Sequence, residues 1–160
     1  MVPGRTRRPY STTACPPTPR QDSQGHFVDL AAQADAASVP LLRPQSVNSS
    51  DTVVALKELD PDYLLIANFQ QILCEPVLVV PRRAVVNFHP GPLPRYAGLA
   101  PFFWMARNGE RDAGVNALIT MPGIDDGPIL AQRPVALTAT EAVGEIRDRL
   151  FAESATCCMR

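Results

Sequence analysis

The chain has 160 residues, the size of a single domain with one hydrophobic core. Its 15 Lys and Arg residues nearly balance 16 Asp and Glu residues, and the net charge of -1 provides no overall positive field to attract nucleic acid or an anionic membrane. The four cysteines show no C-x-x-C spacing, and the basic first residues lack the apolar stretch of a signal peptide. These features predict a soluble, cytoplasmic protein with reduced thiols and small-molecule partners.

The amino-terminal part of the chain differs in composition from the rest. Residues 1–24 contain five prolines among many Ser, Thr and Arg residues and have no hydrophobic period, which predicts a flexible or loop segment. Apolar residues at helical spacing then predict a helix that includes residues 27–34, and a short strand is predicted at residues 39–42. A second helix is predicted from an N-cap at Ser50 to residue 60, which precedes a proline.

Two nearly continuous apolar runs follow, at residues 63–69 and 84–88. Runs of this length without polar alternation are typical of parallel strands that are covered on both faces. The second run leads into a loop rich in Pro and Gly. A short helix is predicted to begin at Pro101 and to end near Gly109.

The remaining residues predict two strands and a last helix. Residues 114–121 alternate as a strand, and residues 129–135 can pair beside it. Thr138 and Glu141 form a capping box ahead of the helix, and residues 155–160 are expected to fray. The alternation of strands and helices predicts an α/β domain, and no GxGxxG dinucleotide fingerprint is present.

Two polar residues lie at the end of the second apolar run. Asn87 and His89 are placed where open α/β sheets bind their ligands, and strand alternation directs both side chains to the same face. An Asn amide can donate to a carbonyl oxygen, and a His can donate as imidazolium or carry a proton near neutral pH. Prolines at positions 90, 92 and 94 stiffen the loop that leaves this pair.

A second polar cluster follows the predicted strand at residues 114–121, where residues 123–128 read GIDDGP. A carboxylate beside an imidazole fixes its tautomer and can position a water for proton transfer. An Asp-Asp-Gly sequence is also common in ordinary turns, and a single His is more often structural than catalytic. The residues alone therefore leave a catalytic and a purely structural interpretation open.

The arrangement of these motifs resembles a known family. NFHPGPLPRYAG, followed by an aromatic helix and GIDDGPIL, is similar to the folate-dependent formyltransferases, which share an Asn-x-His-Pro-x-x-Leu-Pro signature and a later Leu/Ile-Asp-x-Gly. The resemblance covers about residues 26–154. It implies a Rossmann-like, mostly parallel α/β catalytic domain over residues 25–154. The catalytic trio of the family maps onto Asn87, His89 and Asp125.

The resemblance also implies a reaction. The formyl donor would be 10-formyltetrahydrofolate, no metal would be required, and a primary amine would attack the formyl carbon. Asn87 and His89 would stabilise the oxyanion, while Asp125 would keep His89 protonated and move a proton through water. The donor would bind to backbone atoms in two loops, Gln71-Ile72-Leu73 and Gly123-Ile124-Asp125, although core packing explains Ile72 and Leu73 equally well.

Some features depart from the family pattern. Family members begin with a hydrophobic strand and a glycine-containing turn, whereas this chain begins with a Pro-, Arg- and Thr-rich stretch. The first strand is therefore expected to be missing from the sheet, which would leave a marginal fold with an open edge prone to self-association. Whether the chain is a whole protein or a fragment stays open.

The acceptor also stays open at this stage. No tRNA-binding domain is recognised after Phe151, Gly91-Pro92 replaces the Ser-Leu of the methionyl-tRNA members, and Ala97 stands where they usually have Arg. These differences favour a small-molecule amine, such as an amino sugar or a biosynthetic amine, and no strong nucleic-acid binding. The alternatives are a methionyl-tRNA formyltransferase, a 10-formyltetrahydrofolate hydrolase and an inactive formyltransferase fragment.

Overall fold

The computed structural model describes residues 11–12, 20–21, 27–138 and 140–158. In chain order, the elements are β1 (Ser11–Thr12), β2 (Arg20–Gln21), β3 (Phe27–Val28), α1 (Leu30–Ala36), β4 (Leu41–Leu42), α2 (Ser50–Glu58), β5 (Tyr63–Ala67), α3 (Glu75–Leu78), β6 (Ala84–His89), α4 (Pro101–Arg107), β7 (Asp112–Ile119), β8 (Ile129–Ala136) and α5 (Val143–Cys158). No helix in these described ranges is long and apolar enough to cross a membrane.

The central sheet has four strands in the order β5-β6-β7-β8. β5 and β6 pair in parallel, whereas the β6–β7 and β7–β8 pairs are antiparallel. The prediction of an α/β fold is confirmed, but the prediction of a mostly parallel sheet is wrong. Parallel pairing requires a crossover of a dozen or more residues, and the short turn between β7 and β8 permits only an antiparallel return.

Two short strand pairs lie outside this sheet. β1 pairs in parallel with β4, and β2 pairs antiparallel with β3. Phe27 therefore belongs to a strand, and α1 begins later than predicted because Asp29 is its N-cap and accepts from the amides of Ala31 and Ala32. Apart from β1 and β2, the segment at residues 1–24 that was predicted to be flexible lies outside the described residues.

Two further helices differ from their predicted bounds. The N-cap of α2 is Ser49, whose hydroxyl accepts from the amide of Thr52 at 3.3 Å, so the prediction of Ser50 was wrong by one residue. Glu141 accepts from the amide of Thr138 at 2.6 Å as the capping box requires, but α5 begins only at Val143. The same helix extends to Cys158, beyond the residue at which fraying was expected.

Among the residues that the structure describes, the hydrophobic core forms two clusters on opposite faces of the sheet. Cluster 1 joins α4 and α5 to the β7 and β8 side, and its members include Met105, Val115 and Leu150. Cluster 2 joins α2 and α3 to β5, and its buried members are Val47, Val53, Leu56 and Val77. Residues paired across neighbouring strands share a face of the sheet. The register of β6 with β5 and β7 therefore places Asn87 and His89 on the cluster 2 face.

One strand is less covered than the sequence predicts. Leu64 of β5 packs against cluster 2, but Tyr63 is 47% exposed and Leu65 is 61% exposed. The alternation along a strand sends these side chains to the opposite face, where cluster 1 reaches only β7 and β8. Coverage of β5 on both faces was therefore a wrong prediction for the described part of the chain.

Candidate active site

The end of β6 carries the first two candidate residues. Asn87 and His89 are directed to the same face, as predicted, and lie opposite Leu118 and Asn116 of β7. Asn87 is half-buried, and His89 is 4% exposed. The antiparallel neighbour strand thus forms one wall of the pair and holds them at a fixed register.

Asp125 reaches this pair through the turn that joins β7 to β8. The turn is closed by a hydrogen bond of 2.9 Å from the amide of Ile119 to the carbonyl of Pro128. Gly127 packs directly on the carbonyl of Ile119, where a Cβ would collide with backbone, so glycine is required there. Asp125 itself has a φ of 49°, in the left-handed region that short polar residues adopt more readily than most.

The three predicted catalytic residues meet around one carboxylate. Oδ1 of Asp125 accepts from Nδ2 of Asn87 at 3.0 Å, and Oδ2 lies 3.2 Å from Nδ1 of His89. Oδ2 also accepts from the amide of Gly98 at 2.8 Å. The structure brings together residues that are 38 positions apart in the sequence. Their catalytic roles stay predictions.

The second nitrogen of the His89 ring contacts a backbone atom that the sequence did not reveal. Nε2 lies 2.9 Å from the carbonyl oxygen of Tyr96. Tyr96, Gly98 and Ala100 all have positive φ values, 60°, 88° and 55°, so the backbone of this loop is irregular. The only sequence signal for this path is the density of Pro and Gly after β6, which predicts an irregular loop but no contact.

The neighbouring Asp126 takes no part in the contacts that join the trio, although it lines the cavity beside them. It is exposed, and its carboxylate folds back on Gly123, where a Cβ would collide with it. The assignment of the catalytic role to Asp125 and not to Asp126 stays a prediction.

A cavity of about 680 Å³ opens at the trio. Its walls include both predicted donor-binding segments, Gln71-Ile72-Leu73 and Gly123-Ile124-Asp125. Ile72 is 75% exposed and Ile124 is 67% exposed, so their side chains form cavity wall and rim instead of core. Leu73 differs, because it is partly buried against cluster 2. Core packing thus accounts for Leu73 but not for Ile72.

The Gln71-Ile72-Leu73 segment is fixed by two amide side chains. Oε1 of Gln71 accepts from the amide of Val47 at 2.9 Å. The second amide side chain, that of Asn48, donates to the carbonyl of Ile72 and accepts from the amide of Cys74, both at 2.8 Å. The side chain of Gln71 is therefore engaged in holding the wall, and a ligand would meet this segment through backbone and through Ile72.

A salt bridge anchors the loop beside the site. Nη1 of Arg95 lies 2.6 Å from Oε2 of Glu110, and Nη2 donates to the carbonyl of Asp112 at 3.1 Å. Burial raises the pKa of Glu110, but amide hydrogen bonds from Asp112 and Arg111 and the charge of Arg95 outweigh it and leave this pKa below its ordinary value of 4.5.

Within the described ranges, no group of three or more His, Cys, Asp or Glu side chains is placed to hold a metal ion.

Comparison with known proteins links this geometry to one family. The family model described as formyl transferase matches residues 11–159. A methionyl-tRNA formyltransferase from Geobacter metallireducens is 35% identical over 117 residues, which are 73% of this chain and 38% of that protein. The corresponding enzyme from Thermotoga maritima is 33% identical over 122 residues, 76% of this chain and 39% of that protein. The chain thus spans less than half the length of these relatives.

Solved structures show the same fold. Glycinamide ribonucleotide transformylase 1 from Symbiobacterium toebii matches with a TM-score of 0.71 and 25% identity, covering 78% of this chain and 62% of that one. A sugar N-formyltransferase from a Shewanella species matches with a TM-score of 0.64 over 78% of this chain and 48% of that one. At 21% identity, the second likeness is one of fold alone.

Proposed function

Because the chain belongs to the formyl transferase family, we propose that it transfers a formyl group from 10-formyltetrahydrofolate to a primary amine through Asn87, His89 and Asp125. The observation that carries the proposal is the set of contacts that joins all three side chains at one carboxylate beside a cavity. A tight cluster of Asn, His and Asp at a cavity suits acyl transfer, in which negative charge develops on one oxygen.

The size and lining of the cavity support binding of the proposed donor. Its volume of about 680 Å³ lies within the range of roughly 300–1,000 Å³ that small-molecule sites occupy. Exposed apolar side chains, Ile72 and Ile124, offer flat surfaces to a heteroaromatic ring, while nearby backbone groups can donate and accept hydrogen bonds. We assign Gln71, Ile72, Leu73, Gly123, Ile124 and Asp125 to donor binding on these grounds.

Each member of the trio then has a distinct task. The donor supplies the formyl carbon that the amine attacks. A primary amide has two N–H groups, and Asn87 commits one to Asp125, which leaves the other to donate to the formyl oxygen. His89 in its charged form stabilises the developing oxyanion. Asp125 orients both donors and relays the proton that the amine loses to the folate nitrogen, which leaves as its bond to the formyl carbon breaks.

The sequence relatives favour one acceptor for this reaction. Proteins named as methionyl-tRNA formyltransferases are 30–35% identical to this chain, so methionyl-tRNA is the acceptor that we propose first. The sequence patterns had favoured a small-molecule amine, and that preference rested on Gly91-Pro92, Ala97 and the net charge of -1. Overall identity to these relatives outweighs these two local differences and the net charge.

A small-molecule amine is the second candidate. The structural likeness to a glycinamide ribonucleotide transformylase, at 25% identity and a TM-score of 0.71, supports it. In this case the near-neutral charge would give little salt-dependent affinity for nucleic acid. Water in place of the amine would make the same site a hydrolase, which releases formate.

One assay separates these outcomes. The 160-residue chain is incubated with 10-formyltetrahydrofolate and either methionyl-tRNA, glycinamide ribonucleotide, a nucleotide-linked amino sugar or no acceptor, with His89→Ala as the blank. Formylation of methionyl-tRNA supports the first candidate, and formylation of a small amine supports the second. Formate release without acceptor identifies a hydrolase. Donor binding without any reaction contradicts the proposed function.

Binding to tRNA provides an independent measurement. Sub-micromolar affinity at about 150 mM salt, falling steeply as salt rises, would support methionyl-tRNA as acceptor. Weak binding with a shallow salt dependence would support the small amine and would agree with the net charge of -1.

A further inference from the structure

Asn116 is a buried polar residue that has no part in the proposed chemistry. It is 1% exposed and lies opposite His89 in the pairing of β6 with β7. Its Nδ2 donates to the carbonyl of Gly91, and its Oδ1 accepts from Nε2 of Gln132 at 2.8 Å. Burying a side-chain amide costs free energy unless both its N–H group and its carbonyl oxygen are hydrogen-bonded. An apolar side chain would fill this position without that requirement, which suggests that the hydrogen bonds of Asn116 have a role of their own.

Gly91 connects Asn116 to the His89 ring. A Cβ at Gly91 would lie 2.8 Å from Nε2 of His89 and 3.3 Å from the carbonyl oxygen of Tyr96. The bare backbone of Gly91 is therefore packed against the Nε2 edge of the ring, beside the carbonyl that Nε2 contacts. Because Asn116 binds the Gly91 carbonyl, it holds the backbone that confines the ring.

The two ring nitrogens have different surroundings. Nε2 points to Gly91 and Tyr96, neither of which lines the cavity, whereas Nδ1 points to Asp125, which does. A carbonyl oxygen can only accept, so Nε2 must carry a proton to bind Tyr96. The proton that His89 can share or exchange with a ligand is consequently the one on Nδ1.

We propose that Asn116 is a positioning residue that, through the Gly91 backbone, fixes the His89 ring with Nε2–H on the Tyr96 carbonyl and Nδ1 toward Asp125 and the cavity. The consequence for catalysis rests on the proposed function, but the ring geometry does not. Orienting groups behind a functional His are a recurrent arrangement, because they fix both its tautomer and its angle.

Nitrogen NMR of the 15N-labelled chain tests the geometry without any substrate. The chain has two histidines, His26 and His89, and the His26→Gln variant assigns the signals. Because the Tyr96 carbonyl and the Asp125 carboxylate can both only accept, we expect the charged ring to carry a proton on each nitrogen, with an Nε2–H signal that exchanges slowly with water. An Nε2–H signal that exchanges as fast as that of His26 would overturn the proposal.

Two substitutions disturb the ring from different sides. Gly91→Ala places a Cβ against Nε2, and Asn116→Asp keeps the side-chain shape but removes the donor to Gly91. Both should lose the protected Nε2–H signal while the backbone spectrum stays dispersed. Gly144→Ala is the matched control for the first, because a Cβ there meets no atom within 4 Å. Gln132→Met is the control for the second and should have a smaller effect, because it leaves the bond to Gly91 in place.

Kinetics give the second readout. In Asn116→Asp, kcat for formyl transfer should fall roughly 10–100-fold, as for other groups that orient a functional side chain, while KM for 10-formyltetrahydrofolate stays nearly unchanged. A wild-type kcat together with an intact Nε2–H signal in this variant would overturn the proposal. The expected NMR pattern in a chain that formylates no acceptor would support the ring assignment and contradict the proposed function. If Asn116→Asp does not fold, Gly91→Ala carries the test.

Discussion

Oδ2 of Asp125 lies 3.2 Å from Nδ1 of His89, and both side chains are largely shielded from solvent, with exposures of 14% and 5%. The carboxylate also accepts from Asn87 at 3.0 Å, so one residue of a turn organises both donors at the end of β6. Electrostatic interactions are stronger in this shielded setting than on the surface.

The first prediction concerns the trio itself. Asn87→Ala, His89→Ala and Asp125→Asn should each lower kcat by roughly 10²-fold or more, because each removes a group aimed at the developing charge or at its support. Asp126→Asn is the matched control, since its carboxylate is exposed and lies against Gly123, outside the contacts that join the trio. Steady-state kinetics with 10-formyltetrahydrofolate measure the effect. Near-normal turnover of His89→Ala would refute the mechanism.

The second prediction concerns the cavity wall. Ile72→Ala and Ile124→Ala should each raise KM for the donor by roughly 3–30-fold with little change in kcat, since up to about 0.8 kcal/mol is lost per buried methylene. Val79→Ala is the control, because Val79 is 66% exposed and lies outside the cavity. Equal KM values for all three variants would show that the donor does not touch these side chains.

The third prediction concerns acid stability. The pKa of Glu110 is lower in the folded chain than its ordinary value of 4.5, so its ionised form stabilises the fold above that pH. This contribution should disappear as the pH falls from 4.5 through the lowered pKa. Glu110→Gln should therefore be less stable than the parent near pH 7, and the two should converge in acid. Urea unfolding at a series of pH values checks this, and a constant difference would contradict it.

The fourth prediction concerns the open face and edge of β5. Tyr63 and Leu65 are exposed, and β6 is the strand that pairs with β5 in the described sheet. We expect concentration-dependent self-association, as edge strands with apolar side chains promote it. Leu65→Lys should shift sedimentation toward monomer, whereas Val54→Lys, at a similarly exposed helix position, should not. A parent chain that stays monomeric at all concentrations would disprove the prediction.

Local patterns revealed part of this structure. Side chains two residues apart on a strand lie on the same face, so the spacing of Asn87 and His89 was enough to predict that they share a face of the sheet. The position of Asp125 followed from the family motif and not from the composition of the turn. The positions of the four strands of the central sheet were also well predicted, because runs and alternations of apolar residues mark strands whatever their direction, but β1, β2 and β3 were not predicted.

Other features depend on contacts between distant segments. The direction of a strand depends on the path of the connection that leads to it, and an apolar run contains no information about that path. For this reason the antiparallel pairing of β7 with β6 and β8 was not predicted. Tyr96 acts through its carbonyl, a group that every residue has, so no sequence signal identifies it. Asn116 could be found only from the register that sets it opposite His89.

The left-handed backbone at Asp125 has a consequence for which substitutions this position can accept. A φ of 49° is readily adopted by Gly, Asn and Asp, whereas branched residues adopt it at a cost of about 1–3 kcal/mol. In a library of all twenty amino acids at position 125, selection for folding alone should therefore keep Gly, Asn and Asp, and selection for turnover should keep Asp alone. A lineage that lost activity could drift to Asn or Gly here without losing its fold.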